Sequence, residues 1–201
     1  MCRKNQRTII KYSIMAGKVV ILSAPSGSGK TTLARHLLSI EKLNFKFSVS
    51  ATTRKKRDHE INGKDYFFFS TEEFKNSIEN QDFIEYEKVY ENMYYGTLKS
   101  EVNNLIVNHN IVFDVDVLGA LSLKKYFKSI AISIFIKPPS IDVLEKRLID
   151  RKKNVPSEIK ERISKAEIEM KTEADFDTVI INKDLDVAKQ ELIDKVEKFL
   201  K

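Results

Sequence analysis

The chain of 201 residues is 42% hydrophobic and 32% charged, values typical of one α/β domain of ordinary size. No apolar run approaches the roughly 20 residues that a membrane-spanning helix needs, so the composition argues against a helical membrane protein. Because Cys2 is the single cysteine, the chain can form no internal disulfide and no cysteine metal cluster, and we expect a reducing, cytoplasmic location.

A basic N-terminal segment carries most of the net charge of +6. Four of these positive charges lie in the first 14 residues, on Arg3, Lys4, Arg7 and Lys11. The rest of the chain is nearly neutral, which argues against a nucleic-acid-binding surface. An organelle-targeting peptide is an alternative for this segment, but it has little serine and no clear amphipathic period. We therefore expect residues 1–16 to be an extension outside the fold and residues 17–201 to form one domain.

The first predicted elements are a buried strand, a glycine-rich loop and a helix. Val19–Leu22 is an apolar run, and helix-forming residues begin at Lys30. The sequence between and just after them is Ala24-Pro25-Ser26-Gly27-Ser28-Gly29-Lys30-Thr31-Thr32. It matches the pattern G-x-x-x-x-G-K-[ST] except at Ala24, which is acceptable if its φ is negative. Because such loops surround phosphate oxygens with backbone N–H groups, we predict that residues 24–32 bind a nucleotide polyphosphate, with the Thr31 hydroxyl available to Mg²⁺.

The pattern from Ser50 to Gly96 predicts an inserted small lobe that is mostly antiparallel. It opens on the cation-rich run Ser50–Arg57 and continues through the turn signal Asn62-Gly63 into an aromatic strand, a helix with a capping box and a hairpin. Planar guanidinium groups suit phosphate oxygens better than ammonium groups do. Arg54 and Arg57 are therefore candidate phosphate ligands, and the alternative is a solvated run of charges.

Two acids occupy alternate positions in a predicted central strand, Ile111–Val117. Side chains two residues apart on a strand share a face. Among apolar neighbours, Asp114 and Asp116 would be costly unless they meet cations, a metal or ligand donors. A strand that ends in acids opposite a phosphate loop can complete a nucleotide site, whereas the alternative is two acids near a solvent-exposed strand end.

Strand and helix patterns alternate through the rest of the chain. A buried strand at Ile130–Ile136 is followed by a charged helical segment, a last strand at Val179–Ile181 and a closing amphipathic helix from Leu185 to Leu200. This alternation predicts an α/β fold.

Taken together, the motifs resemble the guanylate kinase family over nearly the whole chain, from about residue 17 to 199. They occur as SAPSGSGKTT at 23–32, FSVSATTRKKR at 47–57, GKDYFFF at 63–69, FIEY at 83–86, YYGT at 94–97, FDVDVLGA at 113–120, and KRLIDR with ERI at 146–151 and 161–163. The resemblance implies a P-loop kinase core with a five-stranded parallel sheet flanked by helices, built from residues 17–48, 99–137 and 171–201. It also implies that residues 49–98 form a GMP-binding lobe and residues 138–170 a helical lid.

The reaction implied by the resemblance is phosphoryl transfer from ATP to GMP, giving ADP and GDP, with Mg²⁺ as cofactor. The implied ligands of the GMP phosphate are Arg54, Arg57, Tyr66 and Tyr95. The implied guanine contacts are Ser50, Glu85, Thr97 and Asp116. The implied catalytic cations are Lys30, Arg54, Arg151 and Arg162, with Arg147 a further candidate. Thr31 and Asp114 are the implied metal-facing residues.

Two other functions are compatible with the sequence. Some guanylate-kinase-like domains are non-catalytic interaction modules, although the intact Gly29-Lys30-Thr31 together with Arg54 and Arg57 favours an enzyme. A P-loop kinase with another acceptor is the second alternative, which a substrate screen distinguishes. The expected partners are ATP and GMP, with no nucleic acid and no membrane, and the sequence predicts no particular oligomeric state.

Overall fold

A computed structural model describes residues 17–150 and 156–201. The predicted extension at residues 1–16 and the predicted catalytic residue Arg151 lie outside the described residues. In the described ranges the elements are β1 (Val19–Ser23), α1 (Lys30–Leu38), β2 (Phe45–Phe47), β3 (Ala51–Thr52), β4 (Phe67–Phe68), α2 (Thr71–Glu79), β5 (Phe83–Tyr90), β6 (Met93–Leu98), α3 (Lys99–Ile106), β7 (Asn110–Val115), α4 (Val117–Phe127), β8 (Ala131–Lys137), α5 (Ile141–Asp150), α6 (Pro156–Met170), β9 (Thr178–Ile181) and α7 (Leu185–Leu200). None of these helices combines the length and the apolar character of a membrane span.

A five-stranded parallel sheet forms the centre of the fold, in the order β2-β7-β1-β8-β9. The prediction of this sheet is confirmed. Strand β1 is fully buried because it has a neighbour on each side and helices on both faces. Its residues alternate between the faces: Val20 and Leu22 pack with α1 and α7, whereas Val19 and Ile21 pack with α3 and α4. The loop after β1 therefore begins at a rigid, central position.

The second sheet lies in the small lobe and has the order β4-β3-β6-β5. It is mostly antiparallel, as predicted, with one parallel pair between β3 and β4. Helix α2 begins with the predicted capping box, in which the Glu73 backbone N–H donates to the Ser70 hydroxyl at 3.1 Å and the Ser70 N–H donates to the Glu73 carboxylate at 2.6 Å. Phe74 from this helix stacks on Phe83 of β5 with ring centroids 4.4 Å apart, which fixes the helix on the sheet.

The predicted strand over residues 111–117 is wrong at its C-terminal end. Strand β7 ends at Val115, and Asp116 is the N-cap of α4, where its Oδ1 accepts a hydrogen bond from the Gly119 N–H at 2.8 Å. Aspartate is a favourable N-cap because its carboxylate accepts an otherwise unpaired helix N–H. Asp114 therefore lies within the strand, whereas Asp116 follows it with an extended backbone and caps the helix.

Candidate active site

A cavity of about 780 Å³ opens at the carboxyl edge of the parallel sheet, between the phosphate loop, the small lobe and helix α6. Many of the predicted site residues line it: Ala24, Pro25, Ser26, Gly27, Gly29, Lys30, Thr31, Thr32, Ser50, Tyr66, Asp114, Asp116 and Arg162. Arg54 and Tyr95 contact the lining residues Glu60 and Tyr66. Glu85 is hydrogen-bonded to Thr97 and lies near the lining residue Asp116. The Arg57 side chain is exposed, and only its backbone takes part in the contacts described below.

The phosphate loop is held in shape by a residue that the sequence did not single out. Asn182, which follows β9, donates from its Nδ2 to the Ser28 carbonyl at 2.7 Å and is itself buried. Gly29 has a φ of 91°, and a Cβ there would lie 2.3 Å from the Asn182 Nδ2. Ala24 is absent from the described residues with positive φ, so its methyl group causes no backbone strain. Asn182 therefore fixes the shape of the loop.

Lys30 and Thr31 both contact Asp114, the acidic residue of strand β7, and all three residues line the cavity. The Lys30 Nζ lies 2.9 Å from the Asp114 Oδ1 and donates to the Val115 carbonyl at 2.7 Å. The Thr31 hydroxyl donates to the Asp114 Oδ2 at 2.7 Å. A cation, a hydroxyl and a carboxylate thus converge beside the loop, as a polyphosphate and a hard metal ion require.

Arg54 is fixed by a buried carboxylate that was not predicted. Its guanidinium binds Glu60 in a bidentate manner, with N–O distances of 2.7 and 3.0 Å, and the Glu60 carboxylate also accepts the Arg57 backbone N–H at 2.8 Å. The Glu60 carboxylate raises the pKa of Arg54, so the guanidinium keeps its charge. Two acids, Asp58 and Glu60, follow the run of cations, so the sequence alone did not single out this partner.

Aromatic rings of the small lobe surround the same guanidinium. The Arg54 guanidinium lies 5.2 Å from the Tyr66 ring centroid, and the Tyr66 ring meets Tyr95 edge-on at 6.0 Å. Burial raises the pKa of Tyr66, so its hydroxyl stays protonated and can donate a hydrogen bond to an anion. These contacts hold a cation and a phenol ready for a phosphate group.

The Glu60 contact makes stability depend on pH in the acid range. Hydrogen bonds from Arg54 and the Arg57 backbone lower the pKa of Glu60 from 4.5 to about 2. The folded state therefore favours the ionised form, so the stabilisation is fully present above the ordinary pKa of 4.5 and is lost as the pH falls towards 2. We expect Glu60→Gln to lower the Tm at pH 7. The difference in Tm between this variant and the wild type should decrease as the pH falls from 4.5 towards 2. Thermal melts across this range, with the exposed Glu79→Gln as control, measure this, and a constant difference would contradict the assignment.

Glu85 and Asp116 lie together beside Gly119. The Thr97 hydroxyl, itself buried, donates to the Glu85 Oε1 at 2.5 Å. A Cβ added to Gly119 would contact both carboxylates, at 3.2 Å from the Asp116 Oδ1 and 3.3 Å from the Glu85 Oε2. Burial raises the pKa of Glu85, and the charge of Asp116 adds to this effect. Two carboxylates thus lie close together beside Gly119, where a side chain would crowd both of them.

Glu87 supplies a third carboxyl group at this place. We name Glu85, Glu87 and Asp116 the carboxylate cluster. The hydrogen bond between Glu87 and Asp116 raises the pKa of Glu87 to about 7, with burial and the Asp116 charge contributing less. Glu87 was not predicted, although it is two residues from Glu85 on β5 and side chains at that spacing share a strand face.

Helix α6 lines the cavity and packs with α5 around a small core of its own, formed by Leu144, Leu148 and Ala166. From α6 the Arg162 Nη1 lies 3.4 Å from the Ser26 hydroxyl, which brings this cation to the loop at residues 24–32. Arg147 of α5 has a different contact: its guanidinium donates to the Asn182 carbonyl at 2.9 Å. In this structure Arg147 thus supports the residue that holds the loop.

Comparison with known proteins agrees with this geometry. The family model described as guanylate kinase matches residues 16–199. The chain is 50% identical over 196 residues to the guanylate kinase of Bacteroides fragilis, with 97% of this chain and 96% of the relative covered. It is 46% identical over 184 residues to that of Porphyromonas gingivalis, with 91% and 98% covered.

A solved guanylate kinase from Anaplasma phagocytophilum superposes with a TM-score of 0.68 at 30% sequence identity. The match covers 92% of this chain and 84% of that chain. The sequence, the fold and the lined cavity agree, and the chain belongs to the guanylate kinase family.

Proposed function

We propose that the cavity binds ATP at the phosphate loop and GMP at the small lobe and transfers the terminal phosphoryl group to give ADP and GDP. The observation that carries this proposal is one cavity lined by Lys30 of the phosphate loop, by Asp116 of the carboxylate cluster and by Glu60, which binds Arg54. In this proposal residues 49–98 are the GMP lobe and residues 138–170 the lid. We place the reaction in the cytoplasm, in keeping with the single cysteine.

The chemistry needs cations more than it needs a base. The phosphate of GMP is already an oxyanion, so the barrier lies in the repulsion between two anionic groups and in their alignment. Lys30 and Arg162 supply positive charge on the ATP side, and Arg54 supplies it on the GMP side. Tyr66 and Tyr95 add hydroxyl donors, and the exposed Arg57 can turn towards the phosphate of GMP.

In this proposal, two hydrogen-bond acceptors and one donor of the protein match the donors and the acceptor on the edge of guanine. Its N1–H and N2–H groups are donors, and its O6 is an acceptor. Glu85 and Asp116 would accept the two N–H groups, and the Ser50 hydroxyl would donate to O6. Thr97 orients Glu85 through the hydrogen bond at 2.5 Å, so the Glu85 carboxylate is held in one position before the ligand arrives.

The residues beside the loop also fit Mg²⁺. Thr31 and Asp114 offer oxygen ligands, and Mg²⁺ usually combines one or two such groups with phosphate oxygens and water. Among the described residues no group of three or more acids, histidines or cysteines forms a complete protein cage, which agrees with a metal that binds together with its nucleotide. When bound, the ion would neutralise charge on the ATP phosphates.

A substrate screen tests this function. We expect GMP to support fast release of ADP from ATP. The kcat/KM should be at least about a hundredfold lower with AMP, CMP, UMP or dTMP, because these bases leave buried polar groups of the site unpaired. Preferred turnover of another monophosphate would favour a P-loop kinase with a different acceptor. Nucleotide binding without turnover of any of them would favour an interaction module.

A further inference from the structure

Asn182 is anchored through its backbone, independently of its side chain. The residue directly follows strand β9, and its N–H donates to the Lys137 carbonyl of β8 at 2.8 Å. Its carbonyl accepts a hydrogen bond from the Arg147 guanidinium at 2.9 Å. These two contacts fix the point from which the buried side-chain amide reaches the phosphate loop, and a substitution of the side chain leaves both of them in place.

The side-chain amide of Asn182 is only half satisfied within the described part of the chain. Its Nδ2 donates to the Ser28 carbonyl at 2.7 Å, whereas its Oδ1 is buried without a hydrogen-bond partner there. An unpaired buried oxygen lowers the stability of the folded state. Stability alone is therefore a poor reason for an asparagine at this position, and the hydrogen bond to the loop needs a functional explanation.

This hydrogen bond fixes the orientation of the peptide between Ser28 and Gly29. The peptide is trans, and in a planar trans peptide the C=O and the N–H point in opposite directions. Ser28 is fully buried, whereas Gly29 lines the cavity. Because Asn182 holds the carbonyl, the Gly29 N–H points away from the Asn182 amide and is left available to an anion.

Gly29 makes this arrangement possible and also makes it reversible. It has a φ of 91°, and an added Cβ would clash with the Asn182 Nδ2. A peptide next to glycine can rotate with little steric resistance, because glycine has no Cβ. Without a donor for the Ser28 carbonyl, this peptide could turn over and present its oxygen to the cavity. A carbonyl oxygen in that orientation would repel phosphate.

We propose that Asn182 is a positioning residue for polyphosphate binding, which holds the peptide between Ser28 and Gly29 in the orientation that offers the Gly29 N–H to phosphate. This inference rests on the proposed function, in which ATP binds at residues 24–32. In this role Asn182 acts through the loop and not through the nucleoside. Its effect should therefore be the same for a polyphosphate that has no adenosine.

Equilibrium binding of ATP and of inorganic tripolyphosphate, each with Mg²⁺, to Asn182→Ala tests the proposal. We expect both dissociation constants to rise about ten- to hundredfold, the cost of one hydrogen bond to a charged group. The KM for GMP should change less than about twofold. Weaker binding of ATP with unchanged binding of tripolyphosphate would indicate a direct contact with adenosine and would overturn the proposal.

Asn182→Asp is a nearly isosteric variant that separates hydrogen bonding from packing. At alkaline pH, where the new carboxyl group is ionised, it cannot donate to the Ser28 carbonyl and instead attracts the Gly29 N–H. We therefore expect Asn182→Asp to bind both polyphosphates more weakly than Asn182→Ala does. Binding as tight as in the wild type would contradict the assigned role, because only the donor has been removed.

Asn110→Ala is a matched control at the opposite edge of the same sheet, where β7 begins. The Asn110 side chain also donates to a backbone carbonyl, that of Leu43, at 2.8 Å, and it accepts the Lys18 N–H at 2.8 Å. We expect Asn110→Ala to lower the Tm and to bind both polyphosphates as the wild type does. An equal loss of affinity in Asn110→Ala and Asn182→Ala would show that Asn182 acts through stability only.

The same measurements distinguish this inference from the proposed function. Wild-type protein that binds neither polyphosphate, or that does not use GMP, would overturn the proposed function itself. Unchanged affinity for ATP and tripolyphosphate in Asn182→Ala, with GMP turnover intact, would overturn this inference alone.

Discussion

Replacing Lys30 by alanine should lower kcat by about 10²- to 10³-fold, the usual cost of removing one preorganised charge from a phosphoryl-transfer site. The Lys30 ammonium lies beside the phosphate loop, 2.9 Å from the Asp114 Oδ1, and its side chain is 18% exposed. It faces the cavity and not the apolar core. The loss should therefore appear in turnover far more than in folding.

The Tm of Lys30→Ala should fall by only a few degrees, because Asp114 keeps the hydrogen bond from Thr31 and some access to water. Lys42→Ala is a suitable control, since it removes a lysine from an exposed ion pair with Glu197. Near wild-type turnover in Lys30→Ala would refute the assignment of the phosphate loop.

Glu85→Gln should narrow the preference for GMP over AMP by roughly 2–4 kcal/mol, about 30- to 700-fold in the ratio of kcat/KM values. A carboxylate accepts the N–H donors of guanine, whereas it would face the lone pair of adenine N1. Glutamine can still accept the Thr97 hydroxyl at one oxygen, but its amide presents a donor to guanine where an acceptor is needed. The KM for GMP should rise, and binding of ATP should be largely spared.

The competing explanation is that Glu85 serves only the stability of the small lobe. That explanation predicts a lower Tm for Glu85→Gln with an unchanged ratio of GMP to AMP turnover. Measuring kcat/KM for both nucleotides together with a thermal melt separates the two. Thr53→Val is a control for the melt, since it removes the hydrogen bond that the Thr53 hydroxyl donates to the Asn92 carbonyl and the one that it accepts from the Tyr94 N–H in the same lobe.

Contiguous patterns in the sequence predicted much of the fold. The apolar run of β1, the glycine-rich loop and the closing helix α7 are each encoded by neighbouring residues, and each occurs in the structure at its predicted place. The capping box of α2 was predicted for the same reason, because its two hydrogen bonds join residues three apart.

Contacts between distant segments could not be predicted from local pattern. Asn182 holds the phosphate loop through a hydrogen bond to Ser28, and these two residues are 154 positions apart. The contact between Glu60 and Arg54 depends on the turn between these residues, which brings the carboxylate back to the guanidinium group. Local pattern did not predict this contact. The apolar neighbours of Asp116 favour a strand, whereas its carboxylate favours the N-cap position of a helix. The apolar pattern alone therefore did not predict the cap.

A crystal structure of the complex with an analogue in which adenosine and guanosine are joined by a polyphosphate chain tests the central claim most directly. We expect the polyphosphate to lie along residues 24–32 with Lys30 and Arg162 in contact, Arg54 to bind the phosphate next to guanosine, and guanine to lie against Glu85 and Asp116. A guanine bound away from these two carboxylates, or a polyphosphate bound away from the loop, would contradict the assignment of this cavity as the site of phosphoryl transfer between ATP and GMP.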